Sequence, residues 1–377
     1  MPGTYAVRVR ATDANGAYSD ATVNITVQDP NTVYAGTKTV CVSPSANYSG
    51  CPAGAAQQTG VPITFNGKRV LLHRGESFGA VTVPVDHKAV QVGAFGTGAA
   101  PVVPNVDIGS GNTPTSAVFP DDVTVSDLKV SNQIIQWISA SRVLIYRNTI
   151  PSTSNATEQI NIGAAFTWFA GGRSSLSASS FSWPREIFVV ENNVTGTTSG
   201  PVAYNLFDGG SSKTAILGNV MGSSQMHTFR FGALNKSVVA HNAVKGKSSD
   251  GMRHAIKLHG LGLASYNDSF AVSGGAWAST QVVVANNLIG DATDNNQWTV
   301  SLSPENDVTA EGLQDVIAEN NRFVRGANTT YDLVLAGRRL TYRGNTRVDG
   351  AAMGVYQGGH AEALPASWSG PYFATSF

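Results

Sequence analysis

The chain has 377 residues, enough for one large domain or two ordinary ones, and its 25 basic and 25 acidic residues leave a net charge of zero. Zero net charge gives no bulk attraction to nucleic acid or to an anionic membrane, so any electrostatic role rests on local clustering. Only 13% of residues are charged, against roughly 25% in an average soluble protein, and 40 are glycine, a palette suited to short strands and many turns.

No apolar run approaches the ~20 residues of a membrane span. The opening, "MPGTYAVRVRATDANG", is strand-like rather than a signal peptide, and reads as a segment of something longer. Residues 1–29 predict two strands. "TYAVRVRATD" and "ATVNITVQD" each alternate apolar and polar residues, and a turn separates them. The turn "ATDANGAYSD" resembles that of a PKD/cadherin-like or bacterial immunoglobulin-like module, which implies the C-terminal strands of a β-sandwich. Residues 30–37 read as a linker, and residues 38–377 as the main domain. Cys41 and Cys51 are the two cysteines, in the polar loop sequence "CVSPSANYSGC". A disulfide between them fits an exported protein, secreted or at a cell surface.

From about residue 38 the pattern changes. Short apolar runs recur, each followed by Asn and a turn: "VLIYRNTI", "IFVVENNVTG", "TAILGNVMG", "SVVAHNAVKG", "VVVANNLIGD", "VIAENNRFVRG" and "LTYRGNTRVDG". Aligning them on Asn148, Asn193, Asn219, Asn242, Asn287, Asn321 and Asn345 gives spacings of 45, 26, 23, 45, 34 and 24. A floor near 23–26 with longer excursions describes a solenoid whose turns carry variable loops. Strands this short bury a core only by stacking, and a stacked Asn bonds its equivalents on neighbouring coils. A parallel β-helix is therefore expected, closed by "ALPASWSGPYF" as a C-terminal cap.

"TVCVSPSANYSGCPAGA" followed by "GKRVLLHRGESFGAVTV" resembles the opening of the secreted right-handed parallel β-helix, or pectate-lyase-like, superfamily. There a "V-S-P-x-G-N" strand precedes "G-D-x-V-L-F-R-x-G-x-T-F". The matching residues are Val42 to Pro44 and Val70 to Phe78, and with the Asn ladder the likeness covers about residues 38–350. It implies an all-β fold, a right-handed parallel β-helix preceded by a short fragment of an immunoglobulin-like β-sandwich, in a bacterial protein.

A second apolar strand follows each Asn turn: "EQINIGAAF", "VAYNLFDGG", "HTFRFGAL", "HAIKLHGLG", "WTVSLSPEN" and "YDLVLAGR". Aligned, they put Asn161, Asn205, Arg230, Lys257 and Ser301 in one column. Strand alternation turns Phe229, Phe231, Ile256 and Leu258 into the core and Arg230 and Lys257 outward, on neighbouring coils about 4.8 Å apart. Like charges that close repel by about 1 kcal/mol or more. Between Gln225 and Gly260 stand Arg230, Lys236, Lys245, Lys247, Arg253 and Lys257 against the single acid Asp250, with His227, His241, His254 and His259. This patch invites an anionic ligand. His241, beside Asn242, reads as structural. His227 and His254 stand three residues before the cations and read as corner residues able to stack. His259 shares the outward face of Lys257.

Polysaccharide lyases of the resembled superfamily remove the C5 proton of a uronic acid and expel the C4-linked sugar. This chemistry needs a cation beside the carboxylate, a base near C5 and a donor for the leaving oxygen. "IKLHG" and "TFRFG" are similar to strands of the alginate lyase/chondroitinase B type, in which Lys is base and Arg assists. Here Arg comes first and Lys one coil later, and that family's acidic metal-binding set has no counterpart. The expectation is a lyase acting on an acidic polysaccharide, with Lys257, Arg230, His259 and Tyr266 catalytic. Asn205, Arg253, His254, His227, Ser301, Trp298 and Tyr204 are expected to bind substrate. No cofactor is required by the sequence. Ca²⁺ stays open as the alternative to a protein cation beside the carboxylate. The chain is expected to act as a monomer, with neither nucleic acid nor membrane as partner.

Two other readings stand beside it. A glycoside hydrolase on the same fold needs two carboxylates, with Asp208, Asp250, Asp294, Glu305 and Asp307 as loop candidates. A non-catalytic glycan-binding or adhesin solenoid needs none. The long excursions at residues 151–185 and 260–281 are expected to wall the cleft.

Overall fold

In the computed structural model the described residues are 2–12, 17–110, 118–136, 140–151, 158–162, 184–195, 205–222, 224, 227–245, 254–258, 279–293, 298–303, 313–337 and 339–357. The proposed cap sequence "ALPASWSGPYF" lies outside them.

The first two expected strands form. Gly3–Thr12 pairs antiparallel with Tyr18–Val27, in register from Gly3↔Val27 to Thr12↔Tyr18. Alternation gathers Tyr5, Val7, Val23, Ile25 and Val27 on one face, and all five are exposed. The segment expected to be a linker holds two short helical turns. Pro30–Val33 makes a helical turn whose first N–H groups are capped by Asp29, and Gly36–Lys38 adds a 3₁₀ turn. Arg69, itself buried, donates to Asn31 Oδ1 at 2.9 Å and to Thr39 Oγ1 at 3.0 Å, which ties this segment to the first coil. Burial pushes the Arg69 pKa down.

The rest is a parallel β-helix of three sheets. The strand leading into each Asn turn stacks on its equivalent one coil away, as Ser141–Tyr146 does on Arg185–Val190. Two-residue strands after the turn make the second sheet, such as Ala243–Val244 on Leu288–Ile289. The third sheet is built from Val102–Ile108, Lys129–Gln136, Glu158–Ile162, Asn205–Ser212, the first half of Phe229–Ala240, Ile256–Leu258, Trp298–Leu302 and Tyr331–Leu335. Alternate residues of all three sheets fill one continuous apolar column. Ile160, Phe229, Ile256, Val300 and Leu333 are all essentially inaccessible within it.

The Asn ladder forms, with one correction. Its rungs are Asn148, Asn192, Asn219, Asn242, Asn287, Asn321 and Asn345, so Asn192 replaces the expected Asn193. From Asn148 to Asn321 the backbone N–H and the side-chain amide of each rung both donate to Oδ1 of the next Asn, as Asn219 does to Asn242 at 2.9 Å. Asn193 is the exposed residue of the following two-residue strand. The tight bend sits one residue earlier than the ladder: Arg147, Glu191, His241, Asn286 and Asn320 all have positive φ. Cys41 and Cys51 are joined as a disulfide, packed against Leu71 and Phe95.

Candidate functional site

The third sheet carries one outward row. Its register is Asn161↔Asp208↔Arg230↔Lys257↔Ser301. The core partners Phe229, Phe231, Ile256 and Leu258 are fully buried on the opposite side, so Arg230 and Lys257 leave their strands on the same outer face. The doubled phrases "HTFRF" and "HAIKL" are thus two consecutive rungs.

Asn205 is not part of this row. It pairs with Glu158 and stands three residues ahead of the row position, which belongs to Asp208. The reason is the strand pairing: Phe207 pairs with Ile160 and Phe229, which leaves Asp208 opposite Asn161 and Arg230. Asp208, a loop candidate in the sequence, is on a strand and neighbours Arg230. The missed signal was the alternation Phe207-Asp208-Gly209, which copies Phe229-Arg230-Phe231 with a glycine at the second core position.

Facing outward has not left the row open to solvent. Lys257 is 9% exposed and Ser301 0%, while Arg230 is half-buried. Ser301 Oγ lies 2.6 Å from Ser303 Oγ. Charges and hydroxyls in such a partly dehydrated site act more strongly on one another and on a ligand than they do in water.

Beside the row runs an aromatic stack. The rings of His227 and His254 stack at 5.2 Å, and His254 stacks on Trp298 at 5.4 Å with the two ring planes nearly parallel. The backbone N–H of His254 donates to Nδ1 of His227 at 3.2 Å. Nδ1 of His254 lies 3.0 Å from the Trp298 carbonyl, which only accepts, so that nitrogen carries a proton. Both histidines are 4% exposed and Trp298 is half-buried. The stack runs alongside the row, its members standing three residues ahead of Arg230, Lys257 and Ser301. Four expected site residues, Tyr204, Arg253, His259 and Tyr266, lie outside the described residues, as do Asp250, Asp294, Glu305 and Asp307. Among the described residues no group of three or more His, Cys, Asp or Glu is placed to hold a metal ion.

No family model matches the chain, and no curated protein does. Among solved structures, the GH136 lacto-N-biosidase from Eubacterium ramulus aligns over 85% of this chain and 67% of its own, at 10% identity and a TM-score of 0.39. A mutant tailspike protein of E. coli bacteriophage HK620, in complex with a hexasaccharide, aligns over 78% of this chain and 52% of its own, at 11% identity and a TM-score of 0.41. A double mutant of the same tailspike aligns over 87% and 58%, at 11% identity and a TM-score of 0.39. The chain therefore spans between about half and two thirds of the length of these proteins.

Proposed function

We propose that the chain is an exported polysaccharide lyase that cleaves a uronic-acid-containing polysaccharide by β-elimination. The observation that carries this reading is the register Arg230↔Lys257, two cations on adjacent rungs of one partly buried face. Two cations side by side on one face suit an anionic ligand. Arg230 suits the carboxylate, because its planar fork matches two oxygens at once. A neutralised carboxylate makes the adjacent C5 proton more acidic. Lys257 is the base that takes that proton. The electron pair of the broken C5–H bond becomes the C4–C5 double bond as the C4–O bond breaks, and the departing oxygen collects a proton. Tyr266 and His259 are the proposed donors for that last step. The Cys41–Cys51 disulfide supports an oxidising, extracellular setting.

One observation favours hydrolysis as a second reading: Asp208 stands in the same row. A glycosidase needs a second carboxylate about 5–9.5 Å away. Asp107, the next acid along the row, is three rungs from Asp208, about 14 Å at the usual strand spacing. The test is incubation with a panel of uronic-acid polymers. Ultraviolet absorbance from an unsaturated product supports elimination. New reducing ends without that absorbance establish the hydrolase, and glycan binding with neither signal establishes a binding solenoid.

A further inference from the structure

The outward row continues past Asp208 toward the N-terminus, through Asn161 and Ile135 to Asp107. Two residues before each row position, on the same side of the strands, stand Gln159, Gln133 and Asn105. Five polar side chains thus share one face of three adjacent strands. Gln159 is 0% exposed and Asn161 3%. Neither amide atom of Gln159, nor Oδ1 of Asn161, nor Oδ1 of Asn105 finds a hydrogen-bond partner among the described residues. The contrast with the ladder is direct. Asn192, Asn219, Asn242 and Asn287 have every side-chain amide paired at the same depth. Buried amides are rarely left unpaired, and such a group calls for an explanation.

A primary amide offers donors and an acceptor side by side, and a sugar hydroxyl answers with both. A carboxylate sugar would meet bare amide oxygens and Asp107. Burial pushes the Asp107 carboxyl pKa up, which marks this stretch as poor in water. We propose that Asn105, Gln133, Gln159 and Asn161 form a subsite for an uncharged, hydroxyl-rich sugar. Asn161 is two rungs from Arg230 and Asn105 about four, a span of roughly 10–19 Å. If the lyase reading of Arg230 and Lys257 holds, the substrate is a mixed polymer that carries neutral sugar beside its uronate, rather than an unbroken run of uronates.

The test is calorimetric titration of the full chain with β-1,4-linked hexasaccharides of glucose, mannose, galactose and xylose, and with a uronic-acid hexasaccharide. At least one neutral hexasaccharide is expected to bind the wild type and Asn193→Ala, an exposed change on another sheet, equally, and to bind Gln159→Leu at least about tenfold more weakly. Gln159→Leu is expected to melt no lower than the wild type, because an apolar side chain of similar shape replaces an unpaired amide. Gln133→Ala, at a half-buried position, is the second variant should Gln159→Leu fail to fold. Unchanged binding in the variants, or no neutral hexasaccharide bound by the wild type, overturns the subsite. Elimination plays no part in this readout. A failed lyase assay therefore leaves the subsite standing, and a failed titration leaves the lyase reading standing.

Discussion

The backbone N–H of His254 donates to Nδ1 of His227 at 3.2 Å while the two rings stack. This bond fixes the neutral His227 ring with its proton on Nε2 and joins two coils by side chain as well as by strand pairing. The histidine half of the doubled phrase therefore joins neighbouring coils, and the cation half carries the proposed reaction. His227→Ala removes the acceptor for a buried N–H and is expected to cost about 1–3 kcal/mol of stability. Thermal unfolding of the variant checks this. Its elimination rate should fall far less than that of Lys257→Ala. An equal fall with unchanged melting would move His227 into the catalytic group.

Lys257→Ala is expected to lower kcat/KM for elimination by about 10²–10⁴, the usual worth of a positioned base. Arg230→Ala is expected to lose about 10²–10³ through the uncompensated carboxylate. Arg230→Lys keeps the charge but not the fork, and should recover only part of that loss. Steady-state rates on the best polymer of the panel decide the matter. Wild-type rates in both alanine variants would end the cationic-row account.

The fold was legible because its unit is local: an apolar run, an Asn and a turn, repeated with loops of variable length. The errors arose where two neighbouring residues satisfied the same pattern. "ENNVTG" offers two asparagines, and only the strand alternation that buries Val194 and exposes Asn193 selects Asn192. "NLFDGG" offers Asn205 and Asp208, and a glycine at position 209, where Phe231 stands one coil on, removes half of the apolar alternation that marks Asp208. Alternation gives the side from which a residue leaves its strand, not what covers it, so the burial of Lys257 and Ser301 was not readable. Nor does any periodicity show that Asn242 is fully bonded while Gln159 is not.

Asn192 and Asn193 make a paired test of the ladder. Asn192→Ala removes donors to Asn219 Oδ1 and to the Ile145 and Val190 carbonyls, and strips the acceptor from Asn148. A loss of about 1–3 kcal/mol is expected for the buried groups left behind. Asn193→Ala changes an exposed side chain and should stay within about 0.5 kcal/mol. Denaturant titration of the two variants checks the order. Equal effects would mean that the ladder bonds contribute little.

Asp107 gives a pH dependence with a definite sign. Burial raises its carboxyl pKa in the folded chain above the unfolded value. Below the ordinary carboxylate range both states are protonated and burial costs nothing. As pH rises the unfolded chain ionises first, and stability falls until the folded pKa is passed. Asp107→Asn cannot ionise, so it should melt above the wild type at neutral pH and converge with it in acid. Melting temperatures of both proteins across that interval test this. A constant difference would show that ionisation of Asp107 is not the cause.

The disulfide closes a short loop on the first coils, with Cys41 in a buried strand against Leu71 and Phe95. Closing so short a loop restricts the unfolded chain by about 2–3 kcal/mol. In a solenoid each coil leans mainly on its neighbours, so the loss of this link should be felt locally. Replacing both cysteines, Cys41→Ser with Cys51→Ser, should speed hydrogen exchange across residues 39–58. Exchange across residues 279–285 and 298–302 should not change, and neither should the rate of elimination. Faster exchange throughout would show instead that the first coils hold the whole column together, and that the β-helix unfolds as one cooperative unit.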